Sequence, residues 1–458
     1  MKTRKLPSSF RDPSGFLFTK DNTLYRQINT SYKESFDQLI KSGLYEKLVK
    51  ENLLIAHKRS SSKFSLSKDA YKIIKPEYIP FVSYPYEWCF SQLKDAALLT
   101  LQIQKHALKY EMTLKDASAY NVLFVGASPI FIDTLSFESY EKGMPWIAYK
   151  QFCQHFLSPL LLMALKDVRL NKLSINFIDG VPLDLTSKLL AKSSFLNPNI
   201  FAHIHLHAKT QKMFQKTSFK KTQKTLSKKS QVALIENLIS FIEKLRPKKQ
   251  KTQWQKYYTF TNYSRTAFKN KKNLVSNFLK LAKNKNIIWD LGANTGEFSQ
   301  IASKYCKLVI SIDSDPQAVE LNYTKAKRQN NKNILPIISD ITNPSPSIGW
   351  VNKERVSLFK RGSVDLILAL ALIHHLAISN NLSFQHLSDF FADISEFLIV
   401  EFIPKEDSNA KILLASRKDI FPDYNEKGFE TKFNSNFQIL EKQKINDSKR
   451  TLYLMKRK

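Results

Sequence analysis

Ile287-Ile288-Trp289-Asp290-Leu291-Gly292-Ala293-Asn294-Thr295-Gly296-Glu297-Phe298 is the stretch on which the reading of this chain turns. An apolar run breaks at a glycine-bearing turn and resumes with helical spacing, which predicts a β-strand, a tight loop and the helix behind it. Gly292 and Gly296 let the backbone turn sharply and approach a ligand closely. Asp290, at the strand's carboxyl end, can accept hydrogen bonds from a ligand's polar groups. A single Gly-x-x-x-Gly turn also serves as a plain strand-to-helix connection, so the residues downstream decide.

Downstream, strand and helix alternate. The pattern predicts strands at Leu308 to Asp313, Ile334 to Ser339, Val364 to Leu372 and Leu398 to Phe402, with helices at Pro316 to Arg328 and Leu387 to Phe397. Phe437 to Ile445 and Thr451 to Lys456 form a strand pair around Asn446-Asp447-Ser448. The fold class this implies is α/β, a doubly wound, mostly parallel sheet with a reversed edge strand. In such a sheet ligands bind beyond the carboxyl ends of the strands, near the switch in strand order. Asp313 ends the second strand roughly 20 residues beyond the loop, where a carboxylate accepts from both hydroxyls of an adenosine ribose. Asp340 ends the third, where a carboxylate can accept from an adenine amino group.

Asp290 to Gly296, Ile312-Asp313, Ser339-Asp340 and Val364-Asp365-Leu366-Ile367 resemble the successive motifs of class I S-adenosylmethionine-dependent methyltransferases. The Gly-x-Gly-x-x-Gly fingerprint of dinucleotide dehydrogenases is absent. The resemblance implies a Rossmann-like methyltransferase domain over 273–458, S-adenosylmethionine as cofactor, and no metal. It also implies that Asp290, Gly292, Asn294 and Gly296 contact the amino-acid end of the donor, Asp313 the ribose, and Asp340 with Ile341 the adenine. His374 and His375 follow the fourth strand, where acceptor and catalytic base usually sit; a helix cap or a pocket wall would use them equally well. Glu401 is a further catalytic candidate, or an ordinary strand-end carboxylate.

Residues 1–207 read as an α+β accessory domain. Gly15 to Ile28 forms a hairpin around Asp21-Asn22, Tyr32 to Glu51 one or two helices broken near Gly43, and Phe90 to Tyr110 a long amphipathic helix. Asp116, Asn121 and, after a hairpin, Asp133 carry a spacing similar to that of protein kinases and aminoglycoside-type phosphotransferases. That resemblance implies a kinase-like domain in which Asp116 orients a hydroxyl while Asn121 and Asp133 hold magnesium. Leu114 stands where the family has His, Asp133-Thr134-Leu135 replaces Asp-Phe-Gly, and no phosphate loop precedes them, so a binding or scaffold domain fits the same spacing. His203, His205 and His207 would share one face of a strand and scatter on a helix; without acidic or cysteine partners nearby no metal site is expected. The layout of Asp12-Pro13-Ser14-Gly15, Tyr84-Pro85-Tyr86-Glu87-Trp88, Lys115 to Asn121 and Leu372-Ile373-His374-His375-Leu376 resembles a bacterial group that includes nodulation-associated, host-specificity methyltransferases.

The chain holds 71 Lys and Arg against 40 Asp and Glu, a formal charge of +31 that favours anionic partners such as nucleic acid, phosphorylated metabolites or an acidic membrane surface. Residues 208–272 supply about half of that excess, with eighteen basic residues against Glu236 and Glu243, and read as a basic linker, flexible over Lys209 to Lys229 and carrying a helix at Val232 to Leu245. Its aromatics Trp254, Tyr257, Tyr258, Phe260 and Tyr263 suit either stacking on single-stranded nucleic acid or a lid packed over the next domain. Three cysteines without a Cys-x-x-Cys pair support neither a disulfide framework nor a cysteine zinc site, and a reducing, cytoplasmic setting is expected. The most apolar run, Phe156 to Leu165, is too short to span a bilayer. The expected acceptor is a small molecule or glycan intermediate; RNA methylation, or a non-catalytic binding protein that keeps the donor fold, are the alternatives.

Overall fold

Asp21 and Asn22 both take left-handed backbone, with φ of 48° and 61°, which is what a two-residue turn between right-twisting strands requires. They join β2 (Gly15–Lys20) to β3 (Thr23–Asn29), and with β1 (Thr3–Lys5), β4 (His57–Arg59) and β5 (Ala70–Pro76) these strands form an antiparallel sheet in the order β1-β2-β3-β5-β4. Between β3 and β4 run the helices Lys33–Lys41 and Leu44–Lys50, separated at Gly43, whose φ of 83° no β-carbon would favour. The computed structural model describes residues 3–210, 225–247, 264–283, 285–362, 364–415 and 418–458. Its chain divides into two units: residues 1–125, 129–249 and 346–357 form the first, and residues 126–128, 250–345 and 358–458 the second.

The first unit continues with the helix Phe90–Lys109, which buries Leu93, Ala96, Ala97, Leu101, Ala107 and Leu108 on the expected stripe. Short β6 (Met112–Leu114) pairs with β9 (Phe137–Ser139), and β7 (Val122–Val125) with β8 (Ser128–Phe131). Of the two readings of Phe201 to His207 the helical one holds, because Asn197 caps the turn with its side chain and Pro198 starts it; His203 and His207 both lie against Tyr149, and His205 turns to Ser187 and Ser194. The helix expected at Val232 to Leu245 spans Lys228–Lys244 in the first unit, where Lys94 Nζ donates to the Glu243 carbonyl at 2.8 Å and Lys105 pairs with Glu236 at 2.7 Å. Most of Lys209 to Lys229, and all of Trp254 to Tyr263, lie outside the described residues.

The second unit is the doubly wound sheet. Its strands β10 (Ile287–Leu291), β11 (Leu308–Asp313), β12 (Ile334–Ile338), β13 (Val364–Ala369), β14 (Ser395–Phe402), β15 (Phe437–Lys444) and β16 (Thr451–Arg457) lie in the order β12-β11-β10-β13-β14-β16-β15. The first five are parallel; β16 runs antiparallel between β14 and β15, so the reversed strand lies one in from the edge and the edge strand β15 runs with the first five. This is a Rossmann-like fold. The strands are apolar on both faces because helices cover both; Ile288, Val309, Leu366 and Ile399 pack in one core with Phe298 and with Val275, Phe278 and Leu279 of the helix Arg265–Leu281. The expected domain start at 273 therefore cuts through a helix that belongs to the sheet. Ser383 caps the helix Phe384–Ile394 with its side chain, and Ser395 already pairs with Val364, so both elements begin three residues earlier than the apolar pattern suggested.

Candidate active site

Strand order reverses at β10, with β11 and β12 to one side and β13 and β14 to the other, so the carboxyl ends of β10 and β13 part and leave a crevice. A cleft of about 290 Å³ opens there. Its floor is the turn after β10, where Gly292 and Gly296 have φ of 71° and 79° and Asn294 has 50°. A β-carbon on Gly292 would come within 3.2 Å of the Leu372 side chain, and one on Gly296 within 2.2 Å of Asn322 Oδ1. Gly296→Ala should therefore destabilise this unit by about 1–3 kcal/mol, through left-handed strain and displacement of Asn322; a thermal melt reads it. The backbone amides of Gly292 and Ala293 both donate to the Ile312 carbonyl, at 2.9 and 3.0 Å, which fastens the turn to β11.

Two carboxyls face this turn, Asp290 buried and Asp313 half-buried. Asp290 accepts from Ser299 Oγ at 2.6 Å, and Asp313 accepts from the amides of Asn294 at 2.7 Å and Asp315 at 2.8 Å. Burial pushes both up to about 6, against the pull of those hydrogen bonds. Their neutral forms are the ones the fold favours, so the stability these two groups contribute is complete below 3.8 and lost as pH rises through about 6. Beyond β12, Asp340 accepts from the Thr342 amide at 2.9 Å and its hydroxyl at 2.7 Å, beside Ile341. Ser339, also in the cleft, is 6% exposed and its hydroxyl has no hydrogen-bond partner among the described residues. It was not foreseen, although a serine immediately before a strand-end aspartate is a readable signal.

Of the catalytic candidates, only His375 lines the cleft. Burial, and then the Arg450 charge, push its imidazole down to about 4. His374 is fully buried behind it, with ring centroids 4.1 Å apart, and neither of its nitrogens has a partner among the described residues. Its own value lies well below the ordinary one, again through burial. Glu401 is fully buried too. Its carboxylate accepts from Lys271 Nζ at 2.6 Å and from the Ala371 amide at 2.7 Å, with Arg450 Nη1 at 3.5 Å; Arg450 in turn pairs with Asp407 at 2.7 Å. The oxygens of Glu401, a catalytic candidate or strand-end carboxylate by sequence, are committed to three cationic or amide donors. What it holds is the rim: Ala371 has φ of 50°, a left-handed conformation costly for alanine, and Lys271 lines the cleft.

In the first unit, Asn121 Nδ2 donates to Ser136 Oγ at 3.1 Å and that hydroxyl donates to Asp133 Oδ2 at 2.6 Å. Asp133 also accepts from the Leu135 amide at 3.0 Å and is ion-paired with Arg26, while Asp116 Oδ1 accepts from the Ser118 amide at 2.9 Å. Burial raises the Asp116 carboxyl, followed by the Asp133 charge. The three residues are thus brought together, with their oxygens turned to internal donors. His203 bonds Tyr149 at 2.6 Å and Asn237 at 3.0 Å, and His205 bonds Ser187 and Ser194. Among the described residues no group of three or more His, Cys, Asp or Glu is arranged to hold a metal, and no helix is long and apolar enough to cross a membrane.

No family model matches the chain. Among solved structures, the chain is similar to the N-methyltransferase NodS of Bradyrhizobium japonicum WM9 in complex with S-adenosyl-L-homocysteine. The identity is 12%, covering 44% of this chain and 91% of that one, with a TM-score of 0.33. It is similar also to the magnesium protoporphyrin IX methyltransferase of Synechocystis PCC 6803 with bound S-adenosylhomocysteine, at 14% identity over 45% of this chain and 92% of that one, TM-score 0.33. The similarity to the nodulation protein NoeA of Rhizobium meliloti (strain 1021) is of another order, 36% identity over 465 residues, 99% of this chain and 96% of that protein. A match of that depth, running through both units, makes this chain a member of the family of the nodulation protein NoeA.

Proposed function

We propose that the second unit is an S-adenosylmethionine-dependent methyltransferase. The observation that carries this reading is the convergence on one cleft of a two-glycine turn, a carboxylate at each of the ends of β10 and β11, and the unpartnered hydroxyl of Ser339. The residues fit the donor: the turn with Asp290 and Asn294 leaves room for its amino-acid end, Asp313 keeps lone pairs for two ribose hydroxyls, and Ser339, Asp340 and Ile341 suit the adenine. When bound, the donor supplies an electrophilic methyl group. The chain's part is to orient donor and acceptor and to exclude water. His375, neutral at any pH well above 4, accepts a hydrogen bond from the acceptor's O–H or N–H and aims its lone pair; it is a weak base, suited to orientation more than to full deprotonation.

The donor's hydroxyls favour the charged form of Asp313, so binding must expel a proton when the pH lies below about 6. Donor affinity should be level above neutrality and fall about tenfold per unit below pH 6, as measured by calorimetry in buffers of different ionisation heat. For the acceptor, the size of the cleft, at the lower end for small-molecule sites, and the relation to a nodulation protein favour a small molecule or glycan intermediate. Methyl-tritiated donor incubated with the protein and fractionated cell extract should label the low-mass or glycan fraction. Label in RNA would favour nucleic acid instead, and label in no fraction a binding protein.

The first unit we read as a scaffold with a kinase-like hairpin. The engagement of Asp133 by Arg26, Ser136 and the Leu135 amide supports this, since magnesium would have to displace them. Titration with magnesium and ATP up to about 1 mM should give no saturable heat, far short of ordinary nucleotide affinities. Saturable binding lost in Asp133→Ala would restore a nucleotide site.

A further inference from the structure

Leu196 is 86% exposed and Phe195 51%, on a short segment between the helices Leu183–Leu189 and Phe201–Leu206. They are not scattered. Phe195 stacks on His205 with ring centroids 3.7 Å apart and lies 6.4 Å from Phe201, itself exposed, and His205 is tied to Ser187 at 2.7 Å and Ser194 at 2.9 Å. The histidine thus clamps three short elements together and sets the exposed Phe195 and Leu196 beside the exposed Phe201; Leu189 and Leu206, on the same elements, are exposed as well. A water-facing surface pays for such a patch in solubility unless something covers it.

The surrounding charge says what. Lys188, Lys192 and Lys209 are exposed around these residues. Over the described residues 183–210 these three lysines stand against one acidic residue, Asp184, so the face is net basic. A second copy docked here would set lysine against lysine. Apolar side chains rimmed by lysine match instead an interface that is apolar below and anionic above, as at the headgroup boundary of a bilayer. We propose that this face docks on an anionic lipid surface, with Phe195 and Leu196 entering the boundary and the lysines meeting lipid phosphates.

The test is co-sedimentation of the full chain with vesicles of phosphatidylcholine alone and with about one third phosphatidylglycerol. The expected result is at least tenfold stronger partitioning to the anionic vesicles, weakening steeply as salt rises. Leu196→Asp, at a site with almost no contacts to lose, should reduce that partitioning about tenfold while the melting temperature stays unchanged. Lys188→Gln with Lys192→Gln should narrow the difference between the two vesicle types. Equal partitioning to neutral and anionic vesicles would overturn the proposal. So would binding that Leu196→Asp leaves intact, which would place it on the basic residues elsewhere, or a dimer in solution that Leu196→Asp dissolves.

Discussion

Asp313→Ala should weaken binding of S-adenosylhomocysteine by about 100-fold or more. The carboxylate loses two prospective charge-assisted bonds to ribose hydroxyls, each worth about 1.5–3 kcal/mol. It also loses its present bonds to the amides of Asn294 and Asp315, and with them one of the ties that hold the glycine turn in place. Asp313→Asn separates these contributions. It keeps one acceptor oxygen for the amides and should cost only about tenfold, which is the difference expected if the charge and the second acceptor matter to the ligand. Because the wild-type carboxyl is pushed up to about 6, the asparagine variant should also lose the fall in affinity below that pH. Calorimetry on the three proteins at two pH values reads all of this; an Asp313→Ala affinity equal to wild type would remove the ribose assignment.

The second large effect is on stability. Lys271, Glu401, Arg450 and Asp407 form a buried set of two cations and two anions beneath the cleft. Glu401→Ala leaves Lys271 and Arg450 facing one carboxylate and frees the amide of Ala371, so the fold should lose about 3–5 kcal/mol, or roughly 6–20 °C in melting temperature. Lys271→Met is the milder change, since Glu401 keeps Arg450 and the Ala371 amide. Combined with Glu401→Gln it should cost less than Glu401→Ala alone, because no buried charge is then stranded. Equal melting temperatures for wild type and Glu401→Ala would show that the network does not hold the rim.

The donor side of the site could be read from the chain because each of its parts is local. Asp315 caps the helix Pro316–Arg328 and Pro316 starts it, which fixes the end of β11 and so the place of Asp313. Gly292 and Gly296 mark their own turn by needing left-handed backbone. The rim was harder, since Lys271 and Glu401 meet across 130 residues. A signal was nevertheless present. Lys271 falls four residues after Ala267 and four before Val275, on the buried stripe of its helix, and Glu401 interrupts the apolar run Phe397 to Phe402 of its strand. A charge on an apolar face needs a partner, and the two such charges are each other's. The histidines of Phe201 to His207 leave strand and helix open, because alternation of three residues is too short to separate them; the Asn197-Pro198 start signal decides for helix.

The account rests most on the cleft taking the donor. The direct measurement is a calorimetric titration of the wild-type chain with S-adenosylhomocysteine at pH 7.5, roughly 1.5 units above the raised carboxyls. One site per chain with micromolar affinity, about −8 kcal/mol, is the predicted result. No saturable heat up to about 1 mM, a free energy weaker than roughly −4 kcal/mol, would contradict it.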